Sequence, residues 1–213
     1  LDSITMEEML ELAGQGAKVM QTRAVEFANK FSVPVRVLSS FNDGKGTLIS
    51  LKDESMEHAL VSGIAFQKDQ VKFTLHGVGD IPGTAFKILG PISDAEVEVD
   101  VIVQNVSVDG KTDFTFTVSS EDKDIVKGVI ETIKQDVEYR ELIVDSEIAK
   151  VSLVGVGMRS HVGVASKAFK ALSENGVNIQ IICTSEIKIT MVIDKKLVDK
   201  AVSVLHKEFE LEK

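Results

Sequence analysis

Apolar residues at Ala85, Ile88, Leu89 and Ile92 follow i, i+3, i+4, i+7 spacing, the mark of a helix with one buried stripe. Ala165, Ala168, Phe169 and Leu172 repeat that stripe further along the chain. The flanks repeat too. With Leu75 set on Leu153, Gly77 and Gly79 fall on Gly155 and Gly157. Two extra residues then enter the second copy. After them Gly83 and Ala85 fall on Gly163 and Ala165, and Val97, Val99 and Val101 fall on Val177, Ile179 and Ile181. Each copy reads strand, Gly-rich turn, helix, strand, so one fold is duplicated within the chain.

In copy one the pattern predicts a strand at 71–77, a helix at 83–93 and a strand at 97–103. Phe114, Phe116 and Val118 alternate with Thr115 and Thr117, giving a third strand. Ile125, Val126, Val129, Ile130 and Ile133 mark a second helix, and residues 141–144 serve as a fourth strand. The order βαββαβ is the ferredoxin-like split arrangement, an α+β fold. Copy two repeats it with a strand at 151–156, a helix at 164–174, strands at 178–183 and 187–193, and a helix on Leu197, Ala201 and Leu205. No residues remain there for a fourth strand. A spare strand at 64–66 is expected to complete that sheet, which makes copy one an insertion inside copy two.

Residues 1–41 stand apart. Thr5 with Glu8 matches a capping box before Met6, Met9, Leu10 and Ala13, so a helix starts near Met6. A second helix is expected over 17–31 with Met20, Ala24, Phe27 and Phe31 on its stripe. A strand follows at 33–37, with Pro34 placing it near an edge or at its first residues. Two helices and one strand are too little for a domain, so the segment is either a helical cap on the repeats or, as we prefer, the end of a larger domain. The next residues, 41–62, look like a linker carrying a short strand at 47–51.

Composition narrows the function. The 213 residues suffice for two small domains, and 44% apolar with 27% charged residues is ordinary for a soluble globular protein. No apolar run reaches the roughly 18 residues of a membrane span, and nothing at the start resembles a signal peptide. A net charge of −9, no Trp and a single Tyr argue against nucleic acid as a partner. The single Cys183 excludes an internal disulfide and fits a reducing, cytoplasmic compartment. Its run IQIICTS suggests a buried, inert thiol. Leu1 at the first position, with an opening segment unlike the repeats, suggests a piece of a longer polypeptide.

No catalytic constellation or metal site emerges. His58, His76, His161 and His206 are scattered without ligand spacing. Gly44-Lys45-Gly46-Thr47 lacks the spacing of a phosphate loop and reads as a turn, and the GVG at 77–79 is too short for a dinucleotide fingerprint. The informative stretch is GDIPGTA at 79–85. Pro82 suits a helix start, Gly83 lets a ligand approach the backbone, and free N–H groups of the first turn attract a carboxylate. Asp80 beside them can take an ammonium. That pair is what a zwitterionic amino acid requires; the alternative is an ordinary turn capped by Asp80. Gln104, Asn105 and Asn178 add amides at strand ends, where they bond either a ligand or other backbone.

MLELAGQGAKVMQTRAVEFANKFSVPVRVLSSF resembles the end of the catalytic domain of aspartate kinase. VGDIPGTAFKILG, VQNVS, VGVGMRSHVGVASKAF and VNIQIICTSEIKI resemble its tandem regulatory ACT domains. The resemblance covers essentially the whole chain. It implies residues 1–41 as the end of the amino-acid kinase domain and 42–63 as a linker. The first ACT domain would span 71–145, inserted in a second made of 64–70 and 146–213. The implied enzyme moves the ATP γ-phosphoryl group to the β-carboxylate of aspartate, the first step towards lysine, threonine and methionine. ATP and Mg would bind in the catalytic domain, upstream of this chain, which itself would hold no cofactor, no metal and no catalytic residue. The chain resembles the separately made β subunit of α2β2 members, but it begins earlier, as a truncated piece would. Expected partners are a second ACT-bearing chain and the catalytic domain or α subunit, with neither nucleic acid nor membrane.

In the family, copy one of one chain faces copy two of another, and threonine, in some members with lysine, binds between them as feedback inhibitor. Carried over by motif, the contacts are Asp80, Pro82, Gly83, Thr84, Ala85 and Gln104, with Asn178 and Ile179 from the partner; Ser107 lies near the interface. Val162 replaces the usual proline of GMxSHPGV, Ala165 stands where a hydroxyl can contribute, and Gly176 lacks a side chain where relatives offer an amide. These departures weigh more against lysine than against threonine. Two other functions fit the same topology: a dimerisation scaffold without ligand, and an acylphosphatase-like enzyme. The second needs an Arg in the first turn, which copy one lacks.

Overall fold

The computed structural model describes residues 1–51, 60–105, 110–159 and 161–212. Its elements are β1 (Ser3–Thr5), α1 (Met6–Gly14), α2 (Thr22–Lys30), β2 (Val35–Val37), β3 (Thr47–Ser50), β4 (Gly63–Gly79) and α3 (Thr84–Asp94). There follow β5 (Val99–Gln104), β6 (Lys111–Ser119), α4 (Lys123–Ile133), β7 (Glu141–Val154), α5 (Val164–Glu174), β8 (Ile179–Thr184), β9 (Lys188–Asp194) and α6 (Val198–Glu208). The chain divides into a unit formed by residues 68–149 and a unit formed by 1–67 with 150–213.

Strands expected separately at 64–66 and 71–77 are one, β4, and those at 141–144 and 151–156 are likewise one, β7. The residues between, QKDQ at 67–70 and DSEIAK at 145–150, contain no Gly or Pro. Polar side chains alone do not interrupt a backbone ladder, so the strands run through. Each changes unit partway along its length.

The 68–149 unit uses strand order β5-β6-β4-β7. Antiparallel pairing of β4 with β6 sets Val71 opposite Val118, Phe73 opposite Phe116 and Leu75 opposite Phe114. Those residues meet Ile88 and Ile92 of α3 and Val126, Ile130 and Ile133 of α4 in one core, and the Phe73 and Phe116 rings stack at 5.4 Å. Ile125, expected on the α4 stripe, is instead exposed, because Val126, Ile130 and Ile133 already fill the buried face at i, i+4, i+7.

The other unit uses order β4-β7-β9-β8, with α5 and α6 packed together, and adds a small sheet of order β1-β3-β2. Sequence pattern misses β1 because three residues are too few to show a period; it pairs parallel to β3 with Ile4 opposite Ile49. Helix α2 starts five residues later than expected and turns a different face inward. Val25 and Ala28 are buried, whereas Phe27 and Phe31 are exposed and stack on each other at 6.2 Å. Cys183 is also a correction: it is exposed, since β8 ends its strand order and the polypeptide covers little of it beyond Ile181.

Residues 1–41 share a core with the repeat strands, in which Ile4, Met6, Met9, Leu12, Val25 and Ala28 join Ile49, Ala65 of β4 and Val154 of β7. At its rim lies Glu8, 2% exposed. The capping box is present, with the Glu8 amide donating to the Thr5 hydroxyl and the Thr5 amide donating back to the Glu8 carboxylate. The same carboxylate accepts from the Ser62 hydroxyl at 2.6 Å and the Val156 amide at 2.8 Å. Burial pushes this carboxyl up, but the bonds from Ser62, Val156 and Thr5 outweigh it and hold it below its usual value.

Glu8→Ala leaves the Val156 and Thr5 amides without their acceptor, and we expect a loss of about 3 kcal/mol in chemical denaturation. Because the folded carboxyl is depressed, its stabilisation is complete above the unfolded value near 4.5 and disappears as pH falls through the lower folded value. Acid unfolding of the wild type should therefore be steeper below pH 4.5 than that of Glu8→Gln, and parallel curves would remove this role.

Candidate functional site

The carried-over residues of copy one gather where β4 passes into α3. The strand ends in a bulge: Leu75 pairs with Phe114 and Val78 with Thr112, so His76 and Gly77 together oppose Asp113. Gly77 takes φ 69°, in the left-handed region. Its amide donates to Asp113 Oδ1 at 3.0 Å, and His76 Nδ1 lies 2.8 Å from Asp113 Oδ2. The Gly77 and His76 bonds hold the Asp113 carboxyl below its usual range. Beyond the bulge, the Asp80 amide donates to the Gly110 carbonyl at 2.9 Å.

Gly83 is the N-cap of α3, with φ 94° and ψ −7° and no side-chain cap. Pro82 therefore precedes the cap rather than standing inside the helix, and Asp80 does not cap it. Thr84 is buried, its hydroxyl donating to the Gly79 carbonyl at 2.8 Å; this bond braces the turn from within. The first-turn amides of Ala85 and Phe86 have no partner among the described residues, as a helix N-terminus without a cap leaves them. Gln104, at the end of β5, reaches back so that its Nε2 lies 3.5 Å from Asp80 Oδ1. No cationic side chain pairs with Asp80 among the described residues. An exposed carboxylate, an amide beside it and open N–H groups form a set that can receive an ammonium and a carboxylate together.

The second copy reproduces the turn. Gly163 caps α5 with φ 94° and ψ −4°, again without a side-chain cap. Val162 is fully exposed, and Ala165 lies in the first turn of α5. Asn178 and Ile179, at the start of β8, line an open cleft of about 500 Å³ with Phe169, Ser173, Gly176 and Ile182. They belong to the other unit from Asp80. Ser107 falls outside the described residues, as does His58. Asp113 was not singled out from sequence, although the spacing of Leu75 and Val78, both buried and three apart, is the signal of a bulge. Among the described residues no group of His, Cys, Asp or Glu could hold a metal ion, and no helix is long and apolar enough to cross a membrane.

Residues 151–209 match the ACT domain family. An aspartate kinase of Pseudomonas fluorescens is 56% identical over 213 residues, covering all of this chain and 52% of its own length. The chain thus spans about half the length of the curated relatives it matches. A structure of aspartokinase alpha and beta subunits is 47% identical with TM-score 0.67, covering 70% of this chain and 99% of that one. The ligand-free regulatory subunit of aspartate kinase from Thermus thermophilus is 32% identical, also with TM-score 0.67 and the same coverage. With near-complete coverage of those two chains and an ACT match on the second repeat, this chain belongs to the aspartate kinase family, as an ACT-bearing regulatory region.

Proposed function

We propose that the chain senses an end-product amino acid for aspartate kinase, with threonine as effector and lysine as a candidate co-effector. The full enzyme would convert ATP and L-aspartate to 4-phospho-L-aspartate, with ATP and Mg bound in the half of the relatives that this chain does not span. Both repeats would be ACT domains, residues 71–145 inserted between 64–70 and 146–213, while 1–41 close the kinase domain and 42–63 link the two. Two chains would associate through these domains, copy one against copy two. Asp80 would take the ammonium, the open first-turn amides beyond Pro82 and Gly83, that of Ala85 foremost, the carboxylate, with Thr84 bracing the turn, and Gln104 the effector's polar side chain. Asn178 and Ile179 of the partner would close the site. Effector binding better to one dimer arrangement than to another would shift the balance by that difference in affinity.

The observation that carries this is the exposed Asp80 carboxylate, bonded only weakly by Gln104 and set before an uncapped helix. A ligand-free dimerisation scaffold is favoured by a different observation: Ile81, Phe86 and Ile102 around the same turn are 60%, 78% and 48% exposed. Calorimetric titration with threonine, lysine and both, with sedimentation of each sample, separates the two. Sensing predicts saturable threonine binding and a tighter dimer; a stable dimer without heat favours the scaffold. Asp80→Ala should weaken threonine by about 1.5–3 kcal/mol, roughly 10- to 100-fold, through loss of a charge-assisted bond. Gln104→Ala should cost about 1 kcal/mol. Unchanged affinity in the Asp80 variant would remove its assignment.

A further inference from the structure

We infer that Asp113 is a positioning residue for the Asp80 turn, because it holds both residues of the bulge through which β4 delivers Asp80. An unbroken strand puts residues three apart on opposite faces, yet Leu75 and Val78 are both buried in the same core. Only an extra residue between them permits that. His76 and Gly77 supply it, opposite the single Asp113. Each carboxylate oxygen of Asp113 takes one of the two: Oδ1 the Gly77 amide at 3.0 Å, Oδ2 the His76 ring at 2.8 Å. On the far side of β4 the His76 carbonyl accepts from the amide of Arg140, the residue before β7, at 2.8 Å, so the bulge is held from both sides.

Downstream the register resumes with Val78 opposite Thr112 and Gly79 opposite Lys111, and the Asp80 amide reaches the Gly110 carbonyl. A strand that lost the bulge would shift by one residue, and Val78, Gly79 and Asp80 would each change face. Asp113 is half exposed and outside the core, so it serves the path of the strand end more than the packing beneath it. No ligand atom needs to touch it.

Resting on the threonine-sensing role proposed above, the test compares Asp113→Ala with Asp113→Asn, whose amide oxygen still accepts the Gly77 N–H. Threonine affinity should fall at least tenfold in Asp113→Ala and stay within about threefold of wild type in Asp113→Asn. Exchange of the Gly77 amide should quicken at least tenfold in the Ala variant, while that of Phe73 and Phe116 is unchanged. Wild-type affinity in Asp113→Ala, or an unaltered Gly77 amide, overturns the inference. If wild-type protein takes no threonine, the sensing role fails, and the Gly77 and Asp80 amides of Asp113→Ala still decide this one. Should Asp113→Ala not fold, NMR decides. In an Asp80→Asn background, which removes the turn's own carboxyl, protonating Asp113, which faces His76 and feels the Arg140 charge, must move the amide resonances of Gly77 and position 80 with one midpoint; independent midpoints overturn it.

Discussion

A left-handed backbone at a single residue governs where the first helix of each repeat begins. Gly83 and Gly163 adopt nearly the same conformation, and a Cβ at either would meet no atom within 4 Å. The demand for glycine there is conformational and owes nothing to crowding. Because the cap residue has no side chain, nothing folds back onto the first-turn amides. The helix end stays open at the cost of the stabilisation that a Ser or Asp cap would contribute, about 1 kcal/mol. Asp80 and Gln104 then lie beside unsatisfied donors. The protein meets this cost at both repeats, so each first helix keeps an uncapped N-terminus.

Much of this was legible in the residues. The helical stripe at Ile88 and Ile92, its repeat at Ala168 and Leu172, and the capping box at Thr5 and Glu8 follow from spacing alone, and α5 has the expected bounds. What spacing could not reveal depends on partners distant in sequence. Phe27 and Phe31 form as good an apolar row as Val25 and Ala28, and only the position of Ile49 and Val154 decides which row is buried. Cys183 sits in an apolar run, but burial belongs to the neighbouring strand and not to the run itself. Asp113 looked like any polar residue in an alternating strand, since the bulge it serves lies on the strand opposite. At the candidate site, the members contiguous in sequence were visible, and so was Gln104. Its approach to Asp80 needed the pairing of β5 with β6 and of β6 with β4.

Helix α1 shows how the same residue type serves different ends. Glu7 and Glu11 make partly exposed pairs with Arg159 and Lys188, which contribute little in water. Glu8, one residue along, is buried and fully occupied, so its removal is felt by every group that donates to it. The turn before α5 begins at Val156, one of those donors, and the turn in the first repeat is held by Asp113. Both repeats thus rest a strand end on a carboxylate from another element, by unrelated geometry.

The order in which the chain is synthesised bears on how β4 and β7 serve their units. Residues 68–149 emerge from a ribosome as one continuous stretch and can close their core at once. The other unit cannot. Its Ser152 hydroxyl donates to Gln15, and its Val156 amide to Glu8, across separations of 137 and 148 residues. Gln15, the Val156 bond of Glu8 and the first residues of β4 must wait for their partners until β7 has been made. During that interval the core around Met6, Met9 and Leu12 lacks Val154 and stays open on the side that β7 later covers.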